Sequence, residues 1–514
     1  MIPGVPTRQV RILVQASVFG LWVALILSTH NPMNAWLFSV FPPSLLLRID
    51  PLVMTVVCGG MRMGISLLAL GAVTLGVSLV LGRVFCGWVC PLGAIFDFYG
   101  WFLRKLRIPF EGPSPSWFRF KYYLLTAILV FAVLGGVSPL MGFDPIVLLT
   151  RTAAVVMGPM LRKSAMLSIG SGMPLGNFGW FVDGATFALF LVIMSGTTRL
   201  SRIWCRTACP LGAYLAVSSR YSVLRRQTED CIHCNICSQH CPTGAISFEN
   251  AEVYNESECI KCFSCSSVCP VDANFFGLKS PLPSSTETHS PVLLDRRKVL
   301  FSAAVAAVST PVLSLAAGPP KSNKKLMRPP MSREEHDFLS SCIRCGECMK
   351  ACPTGILKPA GLEHGIRALW SPVMVATEGE CQKGCNACSV ACPTDAIVKY
   401  DIADKYKYKA GTAVLDSSRC ISYGDGKFCS ECVRACPTDA IRIQPGWKPE
   451  GAIGGSEEMA PPGQTPSRPI SISFDRCVGC GACEFACNSV VLGDPAMVLT
   501  SFGRAQPTKL GPSV

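Results

Sequence analysis

Twenty-four of the chain's 29 cysteines fall into six compact runs of four, and no other feature limits the fold so tightly. Disulfide frameworks belong mainly to small secreted domains, whereas closely spaced thiols followed by a fourth are the ligand pattern of a [4Fe–4S] cluster. The first two runs are Cys231-x2-Cys234-x2-Cys237-x3-Cys241-Pro and Cys259-x2-Cys262-x2-Cys265-x3-Cys269-Pro. This is the bacterial two-cluster spacing, in which three thiolates hold one iron cube and the fourth holds its neighbour. The expected sets are Cys231, Cys234, Cys237 and Cys269, then Cys259, Cys262, Cys265 and Cys241. A zinc ribbon needs only two cysteine pairs, so two full runs argue against zinc.

Four more runs follow: Cys342, Cys345, Cys348, Cys352; Cys381, Cys385, Cys388, Cys392; Cys420, Cys429, Cys432, Cys436; and Cys477, Cys480, Cys483, Cys487. Each should supply one [4Fe–4S] cluster, six in all, with the 24 cysteines as iron ligands. The spacing does not reveal which of these four runs exchange their fourth cysteine. The fold expected around them is an α+β bacterial-type ferredoxin of short hairpins and single-turn helices, because iron–thiolate bonds replace much of an apolar core.

Ahead of the runs the composition changes. Hydrophobic residues make up 49% of the chain, charged residues only 16%, and the mean hydropathy is +0.37, which favours a partly membrane-embedded protein. Four stretches suit an α-helical membrane domain of four spans: Val10 to Thr29, Gly64 to Gly82, Tyr122 to Met141 and Trp180 to Thr197. Arg and Lys cluster at one side of these spans, placing both ends in the cytoplasm. The net charge of +13 is therefore a membrane-orientation signal, and nucleic acid is not an expected partner.

The membrane region is a duplicated two-helix unit. Asp50-Pro51-Leu52 precedes the second span and Asp144-Pro145-Ile146 the fourth, while Cys86-x3-Cys90-Pro-Leu-Gly-Ala and Cys205-x3-Cys209-Pro-Leu-Gly-Ala follow those spans. Four thiolates converging from two repeats make a site for a further metal or cluster, for a reversible dithiol pair, or for zinc. Cys58 is expected to be a buried free thiol. Asp50 and Asp144 are candidate proton acceptors for quinol oxidation; the competing reading makes each an N-cap before a first-turn proline.

A Pro-, Ser- and Thr-rich linker from Lys279 to Pro291 leads into Arg296-Arg297 and an apolar stretch to Gly318. Twin arginines there read as an internal twin-arginine export signal, with an ordinary fifth span as the alternative and a small-residue cleavage site at Ser314-Leu315-Ala316. The expected domains are 1–224 (membrane), 225–278 (two-cluster ferredoxin), 279–330 (linker and signal) and 331–514 (four-cluster polyferredoxin).

These motifs resemble two families of periplasmic nitrate reductase systems joined in one chain. Residues 1 to 290, with the CxxxCP motifs and the first two runs, resemble the NapH-type membrane ferredoxin; NosR-type and CcoG-type proteins share that membrane motif. Residues 291 to 500 resemble the NapG-type polyferredoxin, although the last run ends Cys487-Asn rather than Cys-Pro. The resemblance implies a quinol dehydrogenase of the bacterial inner membrane, with its first ferredoxin cytoplasmic and its C-terminal polyferredoxin periplasmic. Electrons would pass from membrane quinol to a periplasmic reductase or cytochrome. The alternatives are an assembly factor that reduces a metal or thiol centre, and reverse flow from a cytoplasmic donor to quinone. The chain has no Cys-x-x-Cys-His and no Gly-x-Gly-x-x-Gly after a strand, so neither haem nor nicotinamide is expected.

Overall fold

The computed structural model describes residues 7–28, 42, 44–61, 69–107, 119–135, 139–154, 180–248, 250–278, 296–316, 326–424, 429–444, 470–491, 493–502 and 504. The linker 279–291 lies outside them, as do the side chains of the cleavage sequence 314–316. The chain divides into two compact units: residues 1–156, 184–316 and 340–345, and residues 157–183, 317–339 and 346–514.

The first unit is helical up to its small sheet. Helix α1 (Thr7–Ser28) contains the stretch Arg8–Ile26, 19 residues of mean hydropathy 1.7. Among the described residues it is the one helix both long and apolar enough to cross a membrane. Three shorter apolar helices overlap the other expected spans: α3 (Ala69–Leu81), α6 (Phe120–Gly135) and α8 (Trp180–Arg199). With 13 residues, α3 rises about 20 Å at 1.5 Å per residue, short of a hydrocarbon core of about 30 Å. Residues 62–68 before it lie outside the described set. Leu70, Val73 and Val80 on α3, Val133 on α6 and Val192 on α8 are exposed, an apolar surface that water does not favour.

The duplication is visible in the helices. Helix α2 (Pro51–Met61) and helix α7 (Pro145–Thr152) each start with proline directly after an aspartate. Short helices α4 (Val84–Trp88) and α9 (Ile203–Thr207) carry Cys86 and Cys205. Helices α5 (Pro91–Lys105) and α10 (Pro210–Ser219) begin with Cys90 and Cys209 as N-caps and proline in the first turn, where its missing N–H costs nothing. Helix α11 (Arg296–Ala316), which starts at the twin arginines, packs along α6.

Strands β1 (Leu224–Thr228) and β2 (Asn274–Leu278) pair antiparallel with Arg226 opposite Phe276, and the inner bridge Ile246 to Tyr254 lies between the first two cysteine runs. The core here is Cys237, Ile246, Ala251, Tyr254, Cys265 and Phe276. Thiols supply part of what apolar side chains supply elsewhere.

The second unit repeats this nesting twice. Strand β5 (Thr412–Leu415) pairs with β8 (Met497–Thr500) around the inner pair β6 (Ile441–Ile443) and β7 (Ile470–Ile472), with one cysteine run on each side of the inner pair. The outer bridge Ser332 to Ile397 similarly encloses β3 (Leu357–Pro359) paired with β4 (Pro372–Met374). An outer strand, a run, an inner pair, a run and an outer strand thus recur.

Candidate functional site

The local conformation of the runs follows a rule that spacing alone does not show. In the four runs of regular spacing, the residues before and after the second cysteine have positive φ: His233 and Asn235, Lys261 and Phe263, Arg344 and Gly346, Gly479 and Gly481. Left-handed residues on both sides of a thiol curl the backbone, so that its N–H groups and sulfurs face one concavity. Glycine fills such positions without strain in the last run, but Lys261 and Phe263 hold them against steric cost.

Among the described residues, five cavities are each lined by four cysteines. Two lie in the first unit. One is lined by Cys231, Cys234, Cys237 and Cys269, the other by Cys241, Cys259, Cys262 and Cys265. Three lie in the second unit. Cys381, Cys385 and Cys388 meet Cys352; Cys420, Cys429 and Cys432 meet Cys487; Cys477, Cys480 and Cys483 meet Cys436. Each cavity therefore takes three cysteines from one run and the last from its neighbour. All these cysteines are free of disulfides. Burial pushes the thiols of Cys259, Cys432 and Cys480 up to about 12 and that of Cys381 to about 11, so a thiolate there needs a cation beside it. Sets of four converging thiols, none of them in a disulfide, fit a [4Fe–4S] cluster, which when bound supplies one-electron redox chemistry.

Cys86, Cys90, Cys205 and Cys209 are also buried and free of disulfides, and each lies within electrostatic reach of others in the set. A mononuclear tetrahedral zinc site would hold its sulfurs about 3.8 Å apart, from the 2.3 Å Zn–S bond. Among the described residues, the one group of three or more such ligand atoms within 4.8 Å of one another is Cys231, His233 and Glu252.

Two arginines at matching places in the repeats cross over to this site. Arg202, three residues before Cys205, reaches the first repeat: it donates to the Cys86 carbonyl at 3.1 Å, the Gly93 carbonyl at 3.1 Å and Asp97 Oδ1 at 2.7 Å. Arg83, three residues before Cys86, reaches the second repeat, where its Nη2 lies 3.1 Å from the place a side chain on Gly212 would occupy. Its Nε and Nη2 are buried without an acceptor, the orphaned donors a sulfide-bearing group would satisfy. Their shared register before each motif was the sequence signal for them.

The four-thiol site sits against the second cysteine run. Trp88 Nε1 donates to the Lys261 carbonyl at 2.9 Å, and the Trp88 ring meets Phe263 edge-on at 6.1 Å. Glu258, beside Cys259, accepts from Lys121 Nζ at 2.7 Å, Arg83 Nη1 at 3.1 Å and Tyr122 Oη at 3.1 Å. Burial alone would raise the Glu258 carboxyl, but Lys121 and Arg83 together hold it below its usual range. No local pattern announces this joint, because its partners are 136 to 175 residues apart.

Asp50 and Asp144 are both fully buried and lie next to one another. Asp50 Oδ1 accepts from the N–H groups of Leu52 and Val53 at 2.8 and 3.3 Å, and Asp144 Oδ1 from those of Ile146 and Val147 at 2.9 and 3.2 Å. Each is thus the N-cap of its helix. Cys58 is half-buried rather than buried.

Four models of known families match the chain. A 4Fe-4S binding domain matches residues 63–109 and again 182–228, each covering one CxxxCP motif. A 4Fe-4S dicluster domain matches 223–270, another matches 380–440 and 427–491, and a 4Fe-4S binding domain matches 338–358. The methylamine utilization ferredoxin-type protein MauM of Methylorubrum extorquens is 35% identical over 225 residues, 42% of this chain and 91% of that protein. The ferredoxin-type protein NapG of Escherichia coli is 31% identical over 174 residues, 33% of this chain and 68% of that one. The regulatory protein NosR of Stutzerimonas stutzeri is 31% identical over 187 residues, 35% of this chain but only 22% of NosR. No solved structure matches.

Proposed function

The chain belongs to the ferredoxin-type electron-transfer proteins that bind [4Fe–4S] clusters, and from that premise we propose that it is a quinol dehydrogenase relay of the bacterial inner membrane. The contact between the Trp88 loop and the Lys261 carbonyl carries this reading, because it sets the four-thiol site of the membrane helices directly against a ferredoxin cavity. In the proposed order, electrons pass from quinol to the site of Cys86, Cys90, Cys205 and Cys209. They continue to the site of Cys241, Cys259, Cys262 and Cys265, and then to that of Cys231, Cys234, Cys237 and Cys269, whose Cys234 is exposed.

The membrane region is proposed to span four times, with α1, α3, α6 and α8 as cores of the spans, and to form a domain of its own with the first ferredoxin beside it. Six clusters are proposed on the 24 cysteines, and a seventh group on the four of the CxxxCP motifs. Within the C-terminal runs, the sets that include Cys352, Cys436 and Cys487 are read as the ligands of three of these clusters. The chain is read as a fusion of a NapH-type half with a NapG-type half, whose polyferredoxin is exported behind Arg296 and Arg297 to reduce a periplasmic reductase or cytochrome.

Anaerobically purified protein mixed with a quinol analogue tests the reading: paramagnetic resonance signals of reduced clusters should appear. Protein that is reduced by dithionite but never by quinol refutes it. A reporter fused after residue 514 should be periplasmic and one fused near Lys279 cytoplasmic; both on one side would refute the topology.

A further inference from the structure

The two helix-capping aspartates carry more chemistry than capping uses. In each, Oδ1 is taken by two backbone N–H groups, whereas Oδ2 of Asp50 and Oδ2 of Asp144 are buried and reached by no donor. A cap needs one oxygen. A second carboxylate oxygen left bare in the interior is strongly disfavoured, and two such groups side by side repel. The arrangement is relieved by one proton, which turns two repelling acceptors into a single O–H···O hydrogen bond.

We propose that Asp50 and Asp144 hold one proton between them and take up a second when the membrane unit is reduced. The second half of this proposal rests on the reading of the four-thiol site as a redox centre. The balance is simple. With one shared proton the pair carries one negative charge. When one electron from a reductant enters the neighbouring site, one proton, from the quinol in the cell or from water with dithionite, bonds to the accepting Oδ2, and the pair becomes two neutral carboxyls. The interior thus gains no net charge. Oxidation of the site returns electron and proton together, so a two-electron, two-proton quinol is handled as two identical steps.

The surroundings leave the pair alone with its proton. Burial lifts the Asp50 carboxyl to about 6, and burial together with Asp50 lifts that of Asp144 above its ordinary range. Helix α3 brings no ionisable side chain. On α10, Tyr214 bonds to Thr55 at 2.8 Å, and on the short helix Leu45–Arg48, Arg48 bonds to Ser44 at 3.2 Å. On α6, Lys121 and Tyr122 bond to Glu258, and on α5, Asp97 is paired with Arg11 and Arg202. The remaining ionisable groups of these elements are Tyr99, Arg104 and Lys105 on α5, Tyr123 on α6 and Arg151 on α7. Phe143, beside Asp144, stacks on Trp204, beside Cys205, with ring centroids 6.1 Å apart, which ties the pair to the four-thiol site.

Reduced-minus-oxidised infrared spectra of the full, cluster-loaded protein test the proposal, with dithionite as the reductant. The oxidised wild type should show one protonated-carboxyl band that shifts in D2O, and reduction should add a second. Asn keeps the caps, so Asp50→Asn and Asp144→Asn should fold, retain their clusters by paramagnetic resonance, and lose the band of the oxidised state. The double variant should lose both bands. An oxidised wild type with no such band, or bands that persist in the double variant, would overturn the proposal; so would a wild type in which reduction adds no band. Bands produced by dithionite in a protein that no quinol analogue reduces would support the pair while removing the quinol reading.

Discussion

The indole N–H of Trp88 lies 2.9 Å from the carbonyl oxygen of Lys261, tying the first CxxxCP loop to the middle of the second cysteine run. The residue before it tightens the joint: a side chain on Gly87 would come within 2.3 Å of the Ile260 carbonyl oxygen. Backbone therefore meets backbone where the two sites adjoin.

Trp88→Phe removes the donor but keeps the ring against Phe263. The buried carbonyl it leaves costs about 1–3 kcal/mol. Cluster content should be unchanged, while quinol-dependent reduction of the first ferredoxin slows, as followed by freeze-quenched paramagnetic resonance.

Gly87→Ala should destabilise the protein by about 1–3 kcal/mol, because a methyl group cannot share space with a carbonyl oxygen. At Gly100 on α5, nothing lies within 4 Å of a added side chain. Gly100→Ala should instead gain about 0.5–1 kcal/mol from helix propensity. Thermal unfolding of the detergent-purified protein compares the two, and equal effects would discount the close approach.

The cysteine exchange separates two double variants. Cys436→Ser with Cys477→Ser removes two thiols from one cavity, whereas Cys436→Ser with Cys420→Ser removes one from each of two. The first should alter one cluster and the second two, counted by spin quantitation of the reduced protein. The reverse order would mean that each run keeps its own fourth cysteine.

Glu258→Gln leaves Lys121 and Arg83 buried without their counter-ion, at a cost of about 3–5 kcal/mol. Its folded carboxyl is held below the ordinary value, so its contribution is present above the unfolded pKa of about 4.3 and fades as pH falls through the folded one. The stability gap between wild type and variant should stay constant from neutral pH down to about 5 and close in acid. A gap that closes on the alkaline side instead would contradict the assignment.

Iron analysis bears on the ligand count. Six [4Fe–4S] clusters need about 24 iron per chain and a seventh raises this to about 28. Serine at Cys86, Cys90, Cys205 or Cys209 should lower the total by about 4 while the other clusters remain; unchanged iron in all four variants would empty that site.

The cysteine runs, their proline neighbours and the duplicated CxxxCP units are all legible in the chain, because iron–sulfur ligation is dictated by thiol spacing within about ten residues. Hydropathy likewise marks α1, α3, α6 and α8 without help from the fold. What stays hidden is whatever depends on two distant segments meeting. Spacing cannot say that Cys352 faces Cys381 or that Cys487 faces Cys420; the nested strand pairs decide it by bringing neighbouring runs back to back. Glu258 looks like an ordinary surface acid until Lys121 and Arg83 close over it. Asp50 and Asp144 read equally well as caps or as proton carriers. Both are caps, and only the approach of the two repeats leaves their second oxygens buried together, since charge repulsion is set by distance in space and not along the chain.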